Sequence, residues 1–426
     1  MKFVLVSFLV LVVLFLSLSC NEGYDYSQAA LGLGLRDFSC TEAWIEVQIG
    51  SNDKTANIYI KKNDEIVQTI RLGQSDSLFY FDDLQPNTAY KFDAVTYEDG
   101  KEVKSNPVTF TTLDTTSHNF TWQTFTFGQH SSSVLYDVAI INENDIWAVG
   151  EIYMNDSLGN PDPIAYNAVH WNGQSWELKK IGGIGGWACH TVFAFFTNDI
   201  WFEGTIHWDG SNYTVHKNGW PLMPNGDGWQ VNKMWGSSSS DLYAVGNNGN
   251  IAHYQNGSRW TKIVSGTTTN INDVFGFVDP ISDEADVYCA VSFLFQSGDR
   301  KILRIKNNIV DSLNWFDDKR INSIWTSNNK FFFTAGDGVF ENKRGYWNQL
   351  IDLPPYYSNN IRGNGLNDIF VCGDFGLLSH FNGSSWLTYN EHYMQGILFS
   401  IATKNNIVVT VGLRGSKAII IKGTRN

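Results

Sequence analysis

The chain has 426 residues, of which 43% are hydrophobic and 15% aromatic, so it can form two or more domains with a large core. Its formal net charge of −13 argues against nucleic-acid binding, because phosphate contacts need clustered Lys and Arg side chains. The 16 Trp and 38 Gly residues, against nine Pro, favour many short strands joined by tight turns.

The first residues predict an export signal. Phe3 to Leu16 is an almost entirely apolar run that is too short to span a bilayer, so we expect a signal peptide over residues 1–19. Cys20 follows and resembles the lipobox cysteine of bacterial lipoproteins, although Ser17 stands where that motif usually has Leu. The resemblance implies lipid on Cys20 and residence in the cell envelope, at the outer membrane or cell surface. Ordinary secretion with another cleavage point is the alternative.

A small β-domain is predicted next. Residues 20–35 are polar and contain glycine, which indicates a tether, and alternating strands begin near residue 36. Leu84, the turn at Pro86 and Tyr90 resemble the tyrosine corner of fibronectin type III domains, in which the Tyr hydroxyl bonds to nearby backbone. The resemblance covers residues 36–114 and implies a sandwich that acts as a spacer or a binding platform.

Beyond residue 115 the sequence repeats itself. Each unit has a strand, a short polar turn and a second strand that ends in glycine, and five units keep a spacing of twelve residues between the first apolar position and that glycine. The five pairs are Val138 and Gly150, Val192 and Gly204, Met234 and Gly246, Ile324 and Gly336, and Ile361 and Gly373. Looser copies begin near Ile271 and Gly396, which makes seven units.

The second half of a unit has an apolar strand, an Asn-Gly or Asp-Gly pair and then an aromatic residue, as in His253 to Trp260. Such pairs predict hairpin turns of the primed type, which need positive φ. Four short antiparallel strands in about 44 residues are typical of a β-propeller blade.

The ends of the repeat region predict how the propeller closes. The last unit stops at Gly423 without its outer aromatic strand, whereas an unassigned strand, Phe120–Phe125, precedes the first unit. We expect this strand to complete the last blade, since closure removes exposed sheet edges. The predicted fold is therefore all-β: a small fibronectin type III-like sandwich followed by a seven-bladed β-propeller over residues 120–426. Six or eight blades are the alternatives.

The repeat resembles secreted bacterial propellers of the BNR-like type and propellers of the photosystem II assembly-factor type, which share the Ala-Val-Gly strand and the Gly-x-x-Trp tail. It departs from the sialidase Asp-box, because the serine of that motif is missing and Asn or Asp stands directly before the glycine. Sialidase activity is therefore in doubt.

Histidines recur at one position of the repeat, where a metal site is the obvious alternative to a structural role. Because the copies belong to different blades, we expect each imidazole to pack within its own blade and to hydrogen-bond to backbone there, and we expect no metal or other cofactor. The residues concerned are His170, His207, His253 and His380. Cys40, Cys189, Cys289 and Cys372 show no disulfide or metal spacing, and we interpret them as small buried residues.

The best functional signal lies in the loops that interrupt the repeat. They are residues 151–167, 217–229 and an acidic insertion at 277–286. Aromatic residues in or beside the first two loops are the predicted binding residues: Tyr153, Tyr166, Trp220 and Trp229.

Two functions are compatible with the sequence. The first is a surface-anchored binding module, in which the membrane contact is the lipid anchor alone and the propeller engages a protein or glycan. The second is an extracellular carbohydrate-active enzyme with its site in the propeller funnel. The second requires carboxylates, or a histidine with carboxylates, that converge in the funnel.

Overall fold

The structure is a computed structural model, and it describes residues 31–49, 57–71, 77–98, 100–183, 186–223, 226, 228–279, 284–294, 296–313, 315–316, 318–327, 332–343 and 346–426. The predicted signal peptide and Cys20 lie outside the described residues. The described residues divide by contacts into two compact units. One unit takes the described parts of Met1–Asp37, Trp44–Phe79 and Ala89–Phe110, and the other takes Phe38–Ala43, Tyr80–Thr88 and the described parts of Thr111–Asn426.

Residues 31–111 form two antiparallel sheets. The first contains Leu31–Phe38, Ala43–Ile49 and Ser77–Phe81 in that order. The second has the order Glu65–Arg71, Asn57–Lys62, Ala89–Glu98 and Lys101–Lys104, and Val108–Thr111 also pairs with Ala89–Glu98. The first strand starts at Leu31, inside the segment predicted as a tether, because Leu31 and Leu33 are both buried.

The aromatic signature of this region has a packing role. Tyr90 lies on the strand Ala89–Glu98, and its ring centroid is 6.2 Å from that of Phe110. Phe92, two positions further along the strand, stacks on the same Phe110 ring at 5.9 Å. The predicted bond from the Tyr90 hydroxyl to nearby backbone stays a prediction.

From residue 120 the described chain forms seven four-stranded antiparallel sheets. They are numbered here in chain order, with strands given from the innermost outward. Sheet 1 has Val134–Asn142, Asp145–Ile152, Tyr166–Trp171 and Trp176–Lys179; sheet 2 has Val192–Phe196, Asp199–Phe202, Ile206–Trp208 and Tyr213–Val215; sheet 3 has Val231–Ser238, Asp241–Gly246, Asn250–Gln255 and Arg259–Val264. Sheet 4 has Ile271–Val278, Ala285–Val291, Lys301–Lys306 and Ile309–Leu313; sheet 5 has Ile321–Thr326, Phe332–Gly336, Gly338–Lys343 and Tyr346–Gln349; sheet 6 has Ser358–Gly365, Asp368–Gly373, Leu378–Phe381 and Trp386–Thr388.

Sheet 7 joins the two ends of the repeat region. Its strands Gly396–Lys404, Ile407–Arg414 and Lys417–Arg425 are completed by Phe120–Phe127, which runs antiparallel to Lys417–Arg425. This is the pairing that the sequence predicts. Each innermost strand also contacts the innermost strand of the next sheet, and that of sheet 7 contacts that of sheet 1. The sheets therefore form a closed ring, which is a β-propeller.

Helical structure in the described residues is limited to three single turns of 3₁₀-helix, Ile181–Gly183, Asn247–Gly249 and Asn390–His392. In the part of the chain that the structure describes, none of these is long or apolar enough to cross a membrane. The described cysteines, Cys40, Cys189, Cys289 and Cys372, are all free and buried, as predicted.

Hairpin turns depart from the prediction in part. Asn256 and Gly257 both have positive φ, as a type I′ turn requires. At Asn172-Gly173 only the glycine does, because the loop has four residues and the Asn172 side chain accepts the backbone N–H groups of Gln174 and Ser175. An Asn-Gly pair is therefore compatible with a longer loop closed by an Asn side chain.

The recurrent histidines each bind a carboxylate of their own sheet, where the sequence suggested a backbone partner. The Nε2–Oδ1 distances are 2.8 Å for His170–Asp145, 2.9 Å for His207–Asp199, 2.6 Å for His253–Asp241 and 2.9 Å for His380–Asp368. Each imidazole also lies against an aromatic ring of the neighbouring strand, at 3.9 Å for Tyr243 and His253. In sheet 4 Arg304 takes this position and holds Asp286 with two hydrogen bonds of 2.9 Å.

One of these histidines also anchors the segment that leads into the propeller. The Nδ1 atoms of His118 and His380 are 2.8 Å apart, and the Tyr389 hydroxyl donates to the His118 carbonyl at 2.8 Å. The N–H of Thr116 donates to the Asn382 carbonyl at 3.0 Å. Burial, His380 and Arg425 together lower the pKa of His118 from 6.5 to about 4.

The stability of the protein should therefore fall as the pH drops from about 6.5 to about 4. Over this window the unfolded chain binds a proton at His118 that the folded chain does not, so acid favours unfolding. Thermal unfolding followed by circular dichroism should show a shallower pH dependence in His118→Gln. His130→Gln, which leaves the contact with His380 intact, is the control, and equal slopes in both variants would contradict the assignment.

Candidate functional site

The upper face is defined here as the face of the ring at which the innermost strands begin. Because the strands alternate in direction, the connections from sheet to sheet and those between second and third strands also lie on this face. The loops before Tyr166 and before Val231 are such connections. The described ends of the acidic insertion, residues 277–279 and 284–286, join the first two strands of sheet 4 at the opposite face, and residues 280–283 lie outside the described residues. Two of the three predicted loops thus share one face.

The predicted residues of sheet 1 are held by charged neighbours. Tyr153 packs against His130 with ring centroids 5.7 Å apart. A hydrogen bond with Glu151, together with burial, raises the pKa of Tyr153 to about 12. Lys180 Nζ lies 4.7 Å from the centroid of the Tyr166 ring. Both Tyr side chains are only partly exposed.

The predicted tryptophans contact each other. Trp220 and Trp229 stack with centroids 5.0 Å apart and planes 8° apart, and Trp229 Nε1 donates to the Pro221 carbonyl at 2.9 Å. A Cβ on Gly204 would lie 2.5 Å from the Trp220 ring, so this glycine leaves the space that the ring fills. Both rings pack on the buried cluster that sheets 2 and 3 share. The structure thus gives this pair a packing role and places it in the connection between sheets 2 and 3, whereas Tyr153 and Tyr166 belong to sheet 1 and its loop.

The upper mouth of the central channel is lined by a ring of asparagines that the sequence analysis did not identify. Each lies two residues before the first apolar position of its repeat, from which the interval to the glycine is counted. The residues are Asn232, Asn272, Asn322 and Asn359, and Tyr136, His190 and Phe399 complete the ring in the other three sheets. They enclose a cavity of about 150 Å³ together with the polar side chains beneath them.

The orientation of the four amides is fixed by their partners. Each Nδ2 donates to a backbone carbonyl of the next innermost strand, at distances between 2.7 and 3.2 Å. A carbonyl oxygen can only accept, so the amide nitrogen must face it. The amide nitrogens are therefore used by the neighbouring strands, and the Oδ1 atoms are the acceptors that these four amides keep for a ligand in the mouth.

Below this ring lie the polar side chains of the next position, which form what we call the belt. Its members are Asp137, Thr191, Lys233, Asp273, Ser323, Asn360 and Ser400. Several of them bind the backbone N–H of the next sheet. Asp137 Oδ2 accepts from Val192 N at 3.1 Å, and Asp273 Oδ2 accepts from Ile324 N at 3.1 Å.

Two cations neutralise the buried carboxylates of the belt. Lys233 from sheet 3 reaches Asp137 in sheet 1 and also donates to Ser400 Oγ at 3.1 Å. Arg362 from sheet 6 binds Asp273 through two nitrogens, at 2.6 and 2.9 Å. Each of these carboxylates is therefore ion-paired and also accepts a backbone N–H group of the next sheet.

Arg362 interrupts a run of aromatic residues at the lower mouth of the channel. Phe193, Trp235, Phe275 and Trp325 occupy the equivalent position in four other sheets, and the Arg362 guanidinium lies 5.3 Å from the Phe275 centroid. Trp235 and Trp325 are buried. These two rings therefore pack inside the propeller.

The described residues hold no group of three or more His, Cys, Asp or Glu side chains that could bind a metal ion. The belt was missed because its side chains differ from sheet to sheet. The signal that could have revealed it is a polar residue directly before the first apolar position in every repeat.

Comparison with solved structures supports the fold. The chain is similar to YCF48 bound to a D1 peptide, with 14% identity, a TM-score of 0.52, and coverage of 72% of this chain and 95% of that one. It is also similar to YCF48 from Cyanidioschyzon merolae, with 14% identity, a TM-score of 0.51, and coverage of 71% and 98%. No family model matches, and no curated protein matches. The resemblance to photosystem II assembly-factor propellers is thus supported at the level of fold.

Lys233→Met should lower the free energy of unfolding by about 3–5 kcal/mol, because it leaves the buried Asp137 without its cation. Urea unfolding measures this loss. Adding Asp137→Asn should restore part of it, since the charge is removed while the amide oxygen can still accept. Lys262→Met, at an exposed position of sheet 3, is the control. Wild-type stability in Lys233→Met would mean that Asp137 needs no cation.

Proposed function

We propose that this protein is an exported interaction module whose propeller binds a protein partner at the upper face. The observation that carries the proposal is the ring of asparagine Oδ1 atoms at the mouth of the channel. Four side-chain acceptors directed to one opening suit the backbone N–H groups and side-chain donors of a polypeptide.

The belt supports a binding role for the mouth. Its ion pairs lie beneath the asparagines, so a ligand in the mouth meets a polar floor. The fold neighbour YCF48, which is described as bound to a D1 peptide, shows that a propeller of this architecture can hold a peptide. At 14% identity that example bears on the fold, so the nature of the partner here rests on the chemistry of the mouth.

We also propose the remaining architecture. The seven sheets would be the blades of one seven-bladed propeller closed by Phe120–Phe127, which is supported by the pairing in sheet 7 and by the ring of inner-strand contacts. The strand order of residues 31–111 supports a fibronectin type III-like spacer.

Anchoring through lipid on Cys20 is the third part of the proposal. Cys20→Ser should move the protein from the membrane pellet to the soluble fraction, because the lipid would be its membrane attachment. Fractionation followed by immunoblotting measures this. Cys40→Ser, which changes a buried cysteine, should stay with the membrane. Membrane retention of Cys20→Ser would contradict a lipid anchor at this residue.

Binding should depend on the upper face. The chain from residue 21 onward, used as bait, should capture a protein partner from envelope extracts of the source organism. Replacing Asp156–Asn160, in the upper-face loop of sheet 1, with two glycines should weaken capture. The Asn155–Pro161 bridge keeps the loop ends together.

The matched control shortens the insertion between Asp279 and Glu284, whose backbone hydrogen bond holds the ends together, and should leave capture unchanged. Equal capture by both variants would contradict a binding role for the sheet 1 loop. Capture of glycan instead of protein would contradict the proposed class of partner.

A further inference from the structure

Three aromatic side chains meet on the upper face beside sheet 6. Tyr356 precedes the innermost strand of sheet 6, Phe375 lies between its second and third strands, and Tyr393 precedes sheet 7. Their ring centroids are 5.1 Å apart for Tyr356 and Phe375 and 6.5 Å apart for the other two pairs. Phe375 is 46% exposed and Tyr393 is 63% exposed. We call this group the aromatic triad.

The backbone gives no reason for a phenylalanine at position 375. Phe375 has φ of 58° and precedes Gly376 with φ of 75°, a left-handed pair that suits Asn-Gly. A bulky residue in this region is uncommon, since its side chain crowds the backbone. Phe375 thus combines an unfavourable backbone conformation with an exposed apolar ring.

The same turn in sheet 3 shows what the fold accepts. There Asn248 and Gly249 have φ of 58° and 68°. The surroundings match as well: Asn232 Nδ2 donates to Asn247 Oδ1 at 3.1 Å, and Asn359 Nδ2 donates to Asp374 Oδ1 at 3.0 Å. An asparagine therefore satisfies this turn in one sheet, and Phe375 replaces it in the other.

The charges around the aromatic triad are mainly acidic. The loops that carry the triad contain no Lys or Arg. Two arginines approach from other segments: Arg320, which lies over the Tyr357 ring, is paired with Asp337, and Arg414 lies opposite Gly396. The acidic residues of the loops that carry the triad are Asp352, Asp374 and Glu391. Burial lowers the pKa of His392 although Glu391 opposes this effect, so His392 adds no positive charge at neutral pH. Exposed ring faces in an acidic setting favour a cation.

We propose that the aromatic triad receives a Lys or Arg side chain of the protein partner. The cationic group would lie over the ring faces of Phe375 and Tyr393, while the adjacent asparagine ring binds polar groups of the same partner. This inference rests on the proposed function, because it names the chemistry of the partner at the upper face.

The test uses two small probes that differ in the cationic group. N-acetyl-lysine methylamide carries the cation, and N-acetyl-norleucine methylamide has the same four side-chain carbons without the ammonium group. Titration of the chain from residue 21 onward, followed by saturation-transfer difference NMR, should show saturable binding of the lysine probe, at least about tenfold tighter than that of the norleucine probe. Equal binding of the two probes, or no binding of the lysine probe, would overturn the proposal.

Substitutions locate the binding. Phe375→Asn should abolish binding of the lysine probe and raise the thermal unfolding midpoint, because Asn tolerates the left-handed conformation. Asn248→Phe, the reciprocal change in sheet 3, should lower the midpoint and leave probe binding intact. Tyr393→Ala should lose binding, whereas Tyr393→Phe should retain it. Unchanged binding in Phe375→Asn would overturn the assignment of the site.

The proposed function and the cation site can be contradicted independently of each other. If the wild type captures a protein partner but Phe375→Asn captures it equally well, the aromatic triad is not the cation site and the proposed function stands. If the lysine probe binds at the triad but no protein is captured, the site stands and the proposed function fails.

Discussion

The propeller depends on the belt of polar side chains that joins its innermost strands. Near the axis each strand needs a lateral partner, and belt residues supply it by accepting backbone N–H groups of the next sheet, as Asp137 does for Val192. Two of these side chains carry buried negative charge, and Lys233 and Arg362 each cross from another sheet to neutralise one. The hydrophobic clusters between sheets bury most of the apolar surface, but the belt defines the arrangement of the sheets, because an unpaired carboxylate there would cost several kcal/mol.

The belt also determines where a ligand can bind. Since paired charges occupy the middle of the channel, the two mouths are separate surfaces. The upper mouth presents amide oxygens because the amide nitrogens are used to join neighbouring strands. The same hydrogen bonds that hold the ring together thus leave acceptors for a partner. In each asparagine the amide nitrogen joins neighbouring strands, and the amide oxygen is the acceptor for a partner.

Much of the fold could be predicted because each sequence repeat follows the strand order of one sheet. The interval of twelve residues spans the first two strands of a sheet. The strand before residue 128, which the repeat leaves unassigned, is the fourth strand of sheet 7. The residues of the candidate site were harder to predict from the sequence. Belt positions carry Asp, Thr, Lys, Ser or Asn, so their shared role is visible only when their contacts are known. Trp220 and Trp229 are predicted as ligand-binding aromatics, and sequence cannot show that they also stack on each other between two sheets.

A residue that departs from the repeat does not by itself identify a binding site. Arg362 replaces the aromatic residue found in four other sheets, and Phe375 stands where sheet 3 has Asn248, yet their surroundings differ. The Arg362 side chain is 12% exposed and forms a bidentate ion pair with a buried carboxylate, so its replacement is explained inside the fold. Phe375 is 46% exposed in a conformation that favours Asn, and its neighbours are two aromatic rings that face solvent in part. A residue that departs from the repeat but has partners in the interior, such as Arg362, has a structural role. A residue that departs from the repeat at the surface and costs stability, such as Phe375, indicates a ligand site.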